Sequence, residues 1–176
     1  MRNNSPRVLV LMLSSLLCLA LLPAAAHAQG GDTLPPDVLR ANQKLDQVYL
    51  EAHRVVDTKM IMSLFSHGPD VFMISPTGIF YPGYDQVRGS VETFFDKVEE
   101  MSGTIDRITY LPAGDGVVAY GQVTYHRKLK GKEPDTTVVV WSDYRRKENG
   151  KWVLVHRHAH WSLAGNRELY RRLASK

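Results

Sequence analysis

The strongest structural signal in the chain is "YRRKENGKWVLVHRHAHWS", residues Tyr144 to Ser162. Two runs rich in β-branched and aromatic residues flank Asn149-Gly150, a pair that favours a two-residue turn with both residues at positive φ. The stretch therefore predicts a β-hairpin. Its second strand carries histidines at 156, 158 and 160. Because strand side chains alternate with a period of two, these three imidazoles should share one face.

The turn also predicts how the two strands pair. A regular ladder from the turn gives these opposed pairs: Glu148 with Lys151, Lys147 with Trp152, Arg145 with Leu154, Asp143 with His156, Trp141 with His158 and Val139 with His160. Opposed residues point to the same side of a sheet, so we expect Asp143, Trp141 and the three histidines on one face. A three-residue loop would instead slip the register and reverse this assignment for one strand.

Helices precede the strands. Apolar residues at steps of three and four from Val38 to Val55 predict a first helix of about 20 residues. Asp57 can cap a second, short helix over 58–65, and a short strand follows over 70–75. Asp85 can cap a third helix, whose predicted buried face is formed by Val87, Val91, Phe94, Phe95 and Val98. Four longer strands are predicted near 104–111, 117–128, 136–147 and 151–163.

The N-terminal segment has the pattern of a secretory signal peptide. Arginines precede an apolar run from Val8 to Leu22, and small residues end in Ala26-His27-Ala28. We expect cleavage after Ala28 and an exported protein, periplasmic or secreted. The alternative is an uncleaved anchor, although the run is shorter than the roughly 20 residues that cross a bilayer. The predicted parts are a signal peptide (1–28), a leader (29–34), one domain (35–164) and a basic tail or short helix (165–176).

Composition narrows the classes of partner. Cys18 is the only cysteine, so the exported chain has no disulfide and no thiolate ligand, and depends on packing for stability. Removal of Arg2 and Arg7 lowers the formal charge of +4 by two. The remaining basic runs lie at hairpin tips without interleaved aromatic residues. We therefore expect no nucleic-acid partner, and no membrane partner after signal cleavage.

Three segments carry a resemblance to a known family: "DVFMISPTG" from Asp70, "GYDQVRGSVETFF" from Gly83 and, above all, the hairpin from Tyr144. On these segments the chain resembles the SnoaL-like branch of the nuclear transport factor 2-like superfamily, from Pro35 to Leu163. The resemblance implies an α+β fold of the cystatin-like kind. In it, a curved antiparallel sheet forms a cone around N-terminal helices and leaves a pocket between them. It also implies a homodimer that forms through the convex face of the sheet.

The resemblance also implies that Trp152, Leu154, His156 and His158 point into the cone. This agrees with the register expected from the turn. Two residues depart from the usual family pattern: Asp143 stands where an apolar residue is common, and His160 where a small polar one is. Each departure adds an ionisable side chain to the expected pocket.

The candidate catalytic residues are Asp143 and His156. A carboxylate that faces an imidazole in a pocket can take up and donate protons, because burial shifts both pKa values. The alternative is a buried pair that only braces the hairpin. The candidate ligand-binding residues lie on the first helix and on the hairpin: Tyr49, His53, Trp141, His158 and His160. We expect no cofactor and no metal, since positions i and i+4 of a strand lie about 13 Å apart and the three histidines cannot converge on one ion.

These features predict an exported protein that binds a small, mostly apolar molecule in its cone. Acid–base chemistry of the isomerase, cyclase or dehydratase kind is its expected reaction, with His156 as the functional histidine and His160 nearer the rim. The alternative is a non-catalytic binding or oligomeric assembly module whose cone is filled by its own side chains. An open cavity of at least about 300 Å³ favours the first hypothesis.

Overall fold

The computed structural model describes residues 33–166. The predicted signal peptide, most of the leader and nearly all of the C-terminal tail lie outside the described residues. Within residues 33–166, no helix is long and apolar enough to cross a membrane.

Three helices come before the long strands: α1 (Pro36–Arg54), α2 (Thr58–Met62) and α3 (Tyr84–Phe95). The first confirms the predicted apolar stripe and begins with a proline, whose fixed φ suits the first helical position. The prediction of an Asp57 cap is also confirmed, because its carboxylate accepts a hydrogen bond from the Met60 amide at 2.9 Å. The cap of α3 is Gly83, at φ +78°, and not the predicted Asp85, which lies inside the first turn.

Six strands form one curved sheet: β1 (Phe72–Ile74), β2 (Phe80–Pro82), β3 (Val98–Ala113), β4 (Gly116–Leu129), β5 (Asp135–Glu148) and β6 (Lys151–Trp161). Their order across the sheet is β2-β1-β6-β5-β4-β3. The predicted α+β cone is confirmed. The sheet is nevertheless mixed, since β1 pairs with β6 in parallel while the other neighbours are antiparallel.

Strands β2 and β3 differ from the sequence prediction. Strand β2 was not predicted, because the turn-rich stretch around it hides three residues that pair with β1. Strand β3 starts at Val98, which the helical spacing had placed on the buried face of the third helix. That helix ends at Phe95, and Val98 is buried in the sheet cluster instead.

The hairpin turn forms as predicted. Asn149 and Gly150 have φ values of +49° and +81°, and Glu148 pairs with Lys151. The predicted ladder holds as far as Arg145 opposite Leu154. Beyond that pair a β-bulge inserts Val155 as an extra residue.

The bulge makes the rest of the predicted register wrong. The observed pairs beyond it are Tyr144 with His156, Asp143 with Arg157, Ser142 with His158, Trp141 with Ala159, Val140 with His160 and Val139 with Trp161. One extra residue moves every later side chain to the opposite face. The three histidines therefore lie on the face away from Asp143 and Trp141.

The bulge has a non-local cause on the other edge of β6. Leu154 donates to the Leu64 carbonyl at 2.7 Å and accepts from the Ser66 amide at 2.8 Å, so the chain after α2 holds β6 at this point. Leu154 and Val155 are both fully buried. Two successive buried side chains do not fit the alternation of a regular strand, and the bulge accommodates them.

The core has two parts. One lies among the helices and β1 and includes Leu154; the other lies on the concave face of the long strands and includes Val123, Val139 and Trp141. Between these two clusters lies the space that holds the candidate site.

Candidate functional site

A cavity of about 740 Å³ lies between α1, α3, β1 and the concave face of the sheet. Most of its walls are apolar. Lining residues such as Thr77, Gln86 and Thr93 are exposed, so the cavity opens between the loop after β1 and helix α3. Its inner residues are buried and include Val139 and Ala159. The cone is therefore not filled by its own side chains.

A chain of four buried charges ends at this cavity. Asp46 of α1 binds Arg145 of β5 through two hydrogen bonds, at 2.6 and 3.0 Å. Arg145 also donates to Asp143 at 3.0 Å, and Asp143 accepts two further bonds of 3.0 Å from Nη1 of Arg157. The negative and positive groups alternate along this chain, and its last member, Arg157, lines the cavity.

The charged state of this chain follows from its contacts. Burial raises the pKa of Asp143, while three hydrogen bonds from guanidinium groups stabilise its carboxylate form and oppose this rise. Burial lowers the pKa of Arg157, but the electrostatic effects of Asp143, Tyr49, Tyr125 and Asp46 together outweigh burial, and the net shift is upward. Removing one member would leave an unpaired buried charge, which is far more costly than an unmade surface ion pair.

His53 is a neutral base in the cavity wall. Its Nδ1 lies 2.8 Å from the Tyr49 carbonyl oxygen, which can only accept, so Nδ1 carries the proton. Burial lowers the pKa of His53 to about 4, with a further lowering from Arg157, against the opposing effect of the Tyr49 hydrogen bond. Among the described residues Nε2 has no hydrogen-bond partner, so its lone pair is available to a ligand.

Two tyrosines adjoin this imidazole. The ring of Tyr49 lies 4.6 Å from the His53 ring, and that of Tyr125 lies 5.4 Å away. Burial raises the pKa of both hydroxyl groups, so both remain protonated donors at neutral pH. The guanidinium of Arg157 stacks 4.0 Å from the centre of the Tyr49 ring. A base, two hydroxyl donors and a cation thus share one cavity.

A glycine gives Tyr125 its position. Gly103 pairs with Tyr125 across β3 and β4, and a Cβ atom at residue 103 would lie only 2.8 Å from the tyrosine ring. The absence of a side chain at this position therefore lets the ring lie over the neighbouring strand.

The structure divides the predicted site residues into two groups. Tyr49 and His53 line the cavity, as predicted. Trp141 is buried on the concave face, with its ring 5.2 Å from the Arg157 guanidinium. Asp143 is fully buried in the charge chain.

The histidine row is outside the cavity. His156 stacks on Phe72 at 4.2 Å between ring centres, and His158 and His160 are exposed. The prediction that His156 faces Asp143, and that His156 and His158 point into the cone, is therefore wrong. Its physical reason is the bulge at Val155, which places Arg157 opposite Asp143.

Sequence reasoning missed Asp46, Tyr125, Arg145 and Arg157. Charged residues are almost always exposed, so nothing marks an arginine in a strand as buried. One pattern could have revealed Arg145, because it alternates with Val139, Trp141 and Asp143 along one face of β5.

Within residues 33–166, no three His, Cys, Asp or Glu side chains come together as metal ligands. The inner polar cluster instead consists of three protonated donors, from Tyr49, Tyr125 and Arg157, and the imidazole of His53. They are suited to binding oxygen groups and to moving protons.

Comparison with known proteins places the chain in a family. The sequence model of the SnoaL-like domain matches residues 42–163, and the chain belongs to that family. No curated protein matches it. The predicted membership of the SnoaL-like family is thereby confirmed.

Solved structures share the fold. A candidate dehydratase of the nuclear transport factor 2-like family from Streptomyces avermitilis has a TM-score of 0.66 at 16% identity, over 73% of this chain and 99% of that one. A nuclear transport factor 2-like superfamily protein from Salmonella enterica has a TM-score of 0.64 at 20% identity, over 72% and 90%. A candidate scytalone dehydratase from Novosphingobium aromaticivorans has a TM-score of 0.64 at 15% identity, over 70% and 83%. At these identities the likeness concerns the fold alone.

Proposed function

We propose that this protein holds a small, mostly apolar carbonyl compound in its cone and moves a proton on it. The observation that carries the proposal is an open cavity of about 740 Å³ with the unpartnered Nε2 of His53 in its wall. This volume exceeds the roughly 300 Å³ at which ligand pockets begin. It favours a ligand site over an assembly module with a filled cone.

The proton transfer assigns a role to each polar wall residue. His53 Nε2 takes a proton from the carbon next to the carbonyl group, and the ring is then an imidazolium. Because the pKa of His53 is about 4, the base form is fully populated at neutral pH, but the abstraction is uphill. The negative charge that develops on the carbonyl oxygen must therefore be stabilised.

The stabilising groups are the hydroxyls of Tyr49 and Tyr125 and the guanidinium of Arg157. Donors that are already positioned in a site of low dielectric stabilise such a charge far better than water does. Return of the proton to a different carbon completes an isomerisation. In a dehydration the imidazolium instead gives the proton to the hydroxyl group on the neighbouring carbon; that C–O bond breaks, water leaves, and neutral His53 is restored. The candidate dehydratases with this fold are consistent with such chemistry.

Exchange of the α-protons of 2-tetralone in deuterated water, followed by proton NMR, tests the proposal. The compound is apolar, has acidic α-protons and is small enough for the cavity. We expect exchange above the buffer background, and a loss of about a hundredfold to ten-thousandfold in His53→Gln, the usual contribution of a positioned base. His156→Gln is the matched control, since it is outside the cavity, and should keep the wild-type rate.

Two results would contradict the proposal. The first is exchange at the background rate by the wild-type protein. The second is an equal rate in wild-type protein and a folded His53→Gln variant. Saturable binding of 2-tetralone with no exchange would instead favour a non-catalytic binding module.

We also propose that the protein is exported, with cleavage after Ala28. The order of charged start, apolar run and small residues supports this proposal. Sequencing the N-terminus of the protein from the extracytoplasmic fraction should give Gln29 first. An N-terminus at Met1 would contradict cleavage.

A homodimer through the convex face of the sheet is the third proposal. Its support is the superfamily resemblance together with aromatic residues on that face, among them the 43% exposed Tyr120. Sedimentation at micromolar concentration should give twice the mass of the mature chain, and Tyr120→Lys should shift the equilibrium toward the monomer. A monomer in the wild type would overturn this proposal.

A further inference from the structure

The charged side chains that line the cavity are all cationic. Three cationic side chains line it: Lys97, Arg127 and Arg157. Among the described lining residues there is no aspartate and no glutamate. Arg127 is paired with Asp135 at 2.6 Å, whereas Lys97 is exposed. The innermost of the three cations is Arg157, whose side chain is only 6% exposed.

Arg157 keeps donors free. Both of its hydrogen bonds to Asp143 use Nη1. Within residues 33–166, Nε and Nη2 have no hydrogen-bond partner, although the side chain is more than nine-tenths buried and lines the cavity. Neither donor is among the fully buried unpartnered atoms, so both are accessible from the cavity, where an acceptor supplied by a ligand can reach them.

The charge chain strengthens this preference. Asp143 shares its carboxylate between Arg157 and Arg145, and Arg145 is also bound by Asp46. Asp46 in turn accepts from the Tyr110 hydroxyl at 2.7 Å. The alternating chain thus begins with a carboxylate far from the cavity and ends with its positive member at the cavity wall.

We propose that the ligands of this cavity are apolar ring compounds that carry a carboxylate. The carboxylate binds the free Nε and Nη2 donors of Arg157 in a fork, the geometry that guanidinium and carboxylate groups share. The ring lies against apolar walls that include Ile61, Val91 and Phe94. This inference rests on the proposed ligand-binding function, and together with the base His53 it indicates cyclic keto acids as the substrate class. In such a ligand the carboxylate occupies the Arg157 donors, and the hydroxyls of Tyr49 and Tyr125 stabilise the charge on the carbonyl oxygen.

Calorimetry with two isosteric probes tests the proposal on the wild-type protein. 2-Naphthoate and 2-naphthamide have the same ring and nearly the same size, and differ in the charge of the head group. We expect 2-naphthoate to bind about tenfold to a hundredfold more tightly, as a charge-assisted pair does. Equal affinity, tighter binding of the amide, or no binding of 2-naphthoate at millimolar concentration would overturn the proposal.

Variants of the protein test whether Arg157 is the source of the preference for a carboxylate. Because Arg157→Gln alone would leave the buried Asp143 with only the Arg145 hydrogen bond, the test uses the double variant Arg157→Gln with Asp143→Asn, which removes one charge of each sign. This variant should bind both probes with similar, weak affinity. Arg146→Gln is the matched control, since Arg146 pairs with Asp70 outside the cavity, and should keep the full preference.

The result stays informative if the double variant does not fold. In that case the Arg157 Nε–H resonance of the wild type, labelled with nitrogen-15, reports the contact, and it should shift with 2-naphthoate and not with 2-naphthamide. A retained carboxylate preference in a folded double variant, or an unmoved resonance at saturation, would overturn the assignment to Arg157. 2-Naphthoate has no exchangeable α-proton, so its binding is independent of the 2-tetralone exchange that tests the proposed reaction.

Discussion

The two faces of the hairpin hold adjacent arginines in opposite environments. Arg145 points to the concave face, is fully buried and binds Asp46 and Asp143. Arg146 points to the convex face, has a 31% exposed side chain and binds Asp70 and Glu148. The ion pairs have similar lengths, from 2.6 to 3.0 Å. The pairs differ in their exposure to solvent, and this exposure determines how much each pair contributes to the stability of the fold.

Strand β6 repeats this contrast with different residues. Arg157 lies on the concave face beside the cavity, while His158 is exposed on the convex face. The inserted Val155 sets this division. Titratable residues that appear equivalent in the sequence therefore have different surroundings, and only those on the concave face meet a ligand cavity.

The largest expected effect separates the two arginines. Arg145→Met leaves two buried carboxylates short of a partner, and should lower the free energy of unfolding by about 3–5 kcal/mol. Arg146→Met removes only pairs that are partly open to solvent and should lower it much less. Urea unfolding followed by circular dichroism measures both. Equal losses in the two variants would contradict the division between the faces.

The second effect concerns the buried imidazole of His53. Its pKa is about 4 in the folded protein, below the ordinary 6.5, so the unfolded chain binds the proton more readily between these values. The stabilising contribution of the neutral ring is complete above pH 6.5 and is lost as the pH falls toward 4. Between pH 7 and pH 5 this loss should amount to about 2 kcal/mol.

The comparison with His53→Gln isolates this contribution from other titrating groups. The free energy of unfolding of the variant should fall less than that of the wild type over the same pH range, by about 2 kcal/mol. Parallel pH profiles would mean that His53 is not a buried neutral base.

The smallest effect concerns the Asn149-Gly150 turn, which sets the starting register of β5 and β6. Asn149 has φ +49°, a conformation that asparagine tolerates and alanine does not. Asn149→Ala should lower the free energy of unfolding by about 1 kcal/mol, whereas Asn149→Gly should change it by only a few tenths. Thermal unfolding of the two variants checks this. An alanine variant as stable as the wild type would argue against the two-residue turn.

Local signals in the sequence were sufficient for much of the fold. The stripe of α1, the Asp57 cap and the Asn149-Gly150 turn each depend on residues close together in the chain. The bulge does not, because it follows from the bonds of Leu154 to residues 64 and 66. No pattern within the hairpin reports a contact so distant in sequence.

In the candidate site, too, only those residues could be predicted whose placement depends on neighbours close in the chain. Tyr49 and His53 lie one turn apart on a helix, so their shared face is a local property. On β6 the choice was between two alternating sets of residues. One consists of Trp152, Leu154 and the three histidines; the other consists of Val155, Arg157, Ala159 and Trp161. Each set mixes polar and apolar residues, so alternation alone favoured neither. Only the pairing of the folded strands brings Arg157 opposite Asp143.

Cross-strand nuclear Overhauser effects between backbone protons of β5 and β6 test the central claim most directly, that Arg157 and not a histidine lies opposite Asp143. Directly opposed residues in an antiparallel ladder bring their Hα or amide protons close together. We predict cross-strand effects that pair Asp143 with Arg157, Ser142 with His158 and Tyr144 with His156. Effects that pair Asp143 with His156 and Trp141 with His158 would contradict the account, because they would place the histidines in the cavity and Arg157 outside it.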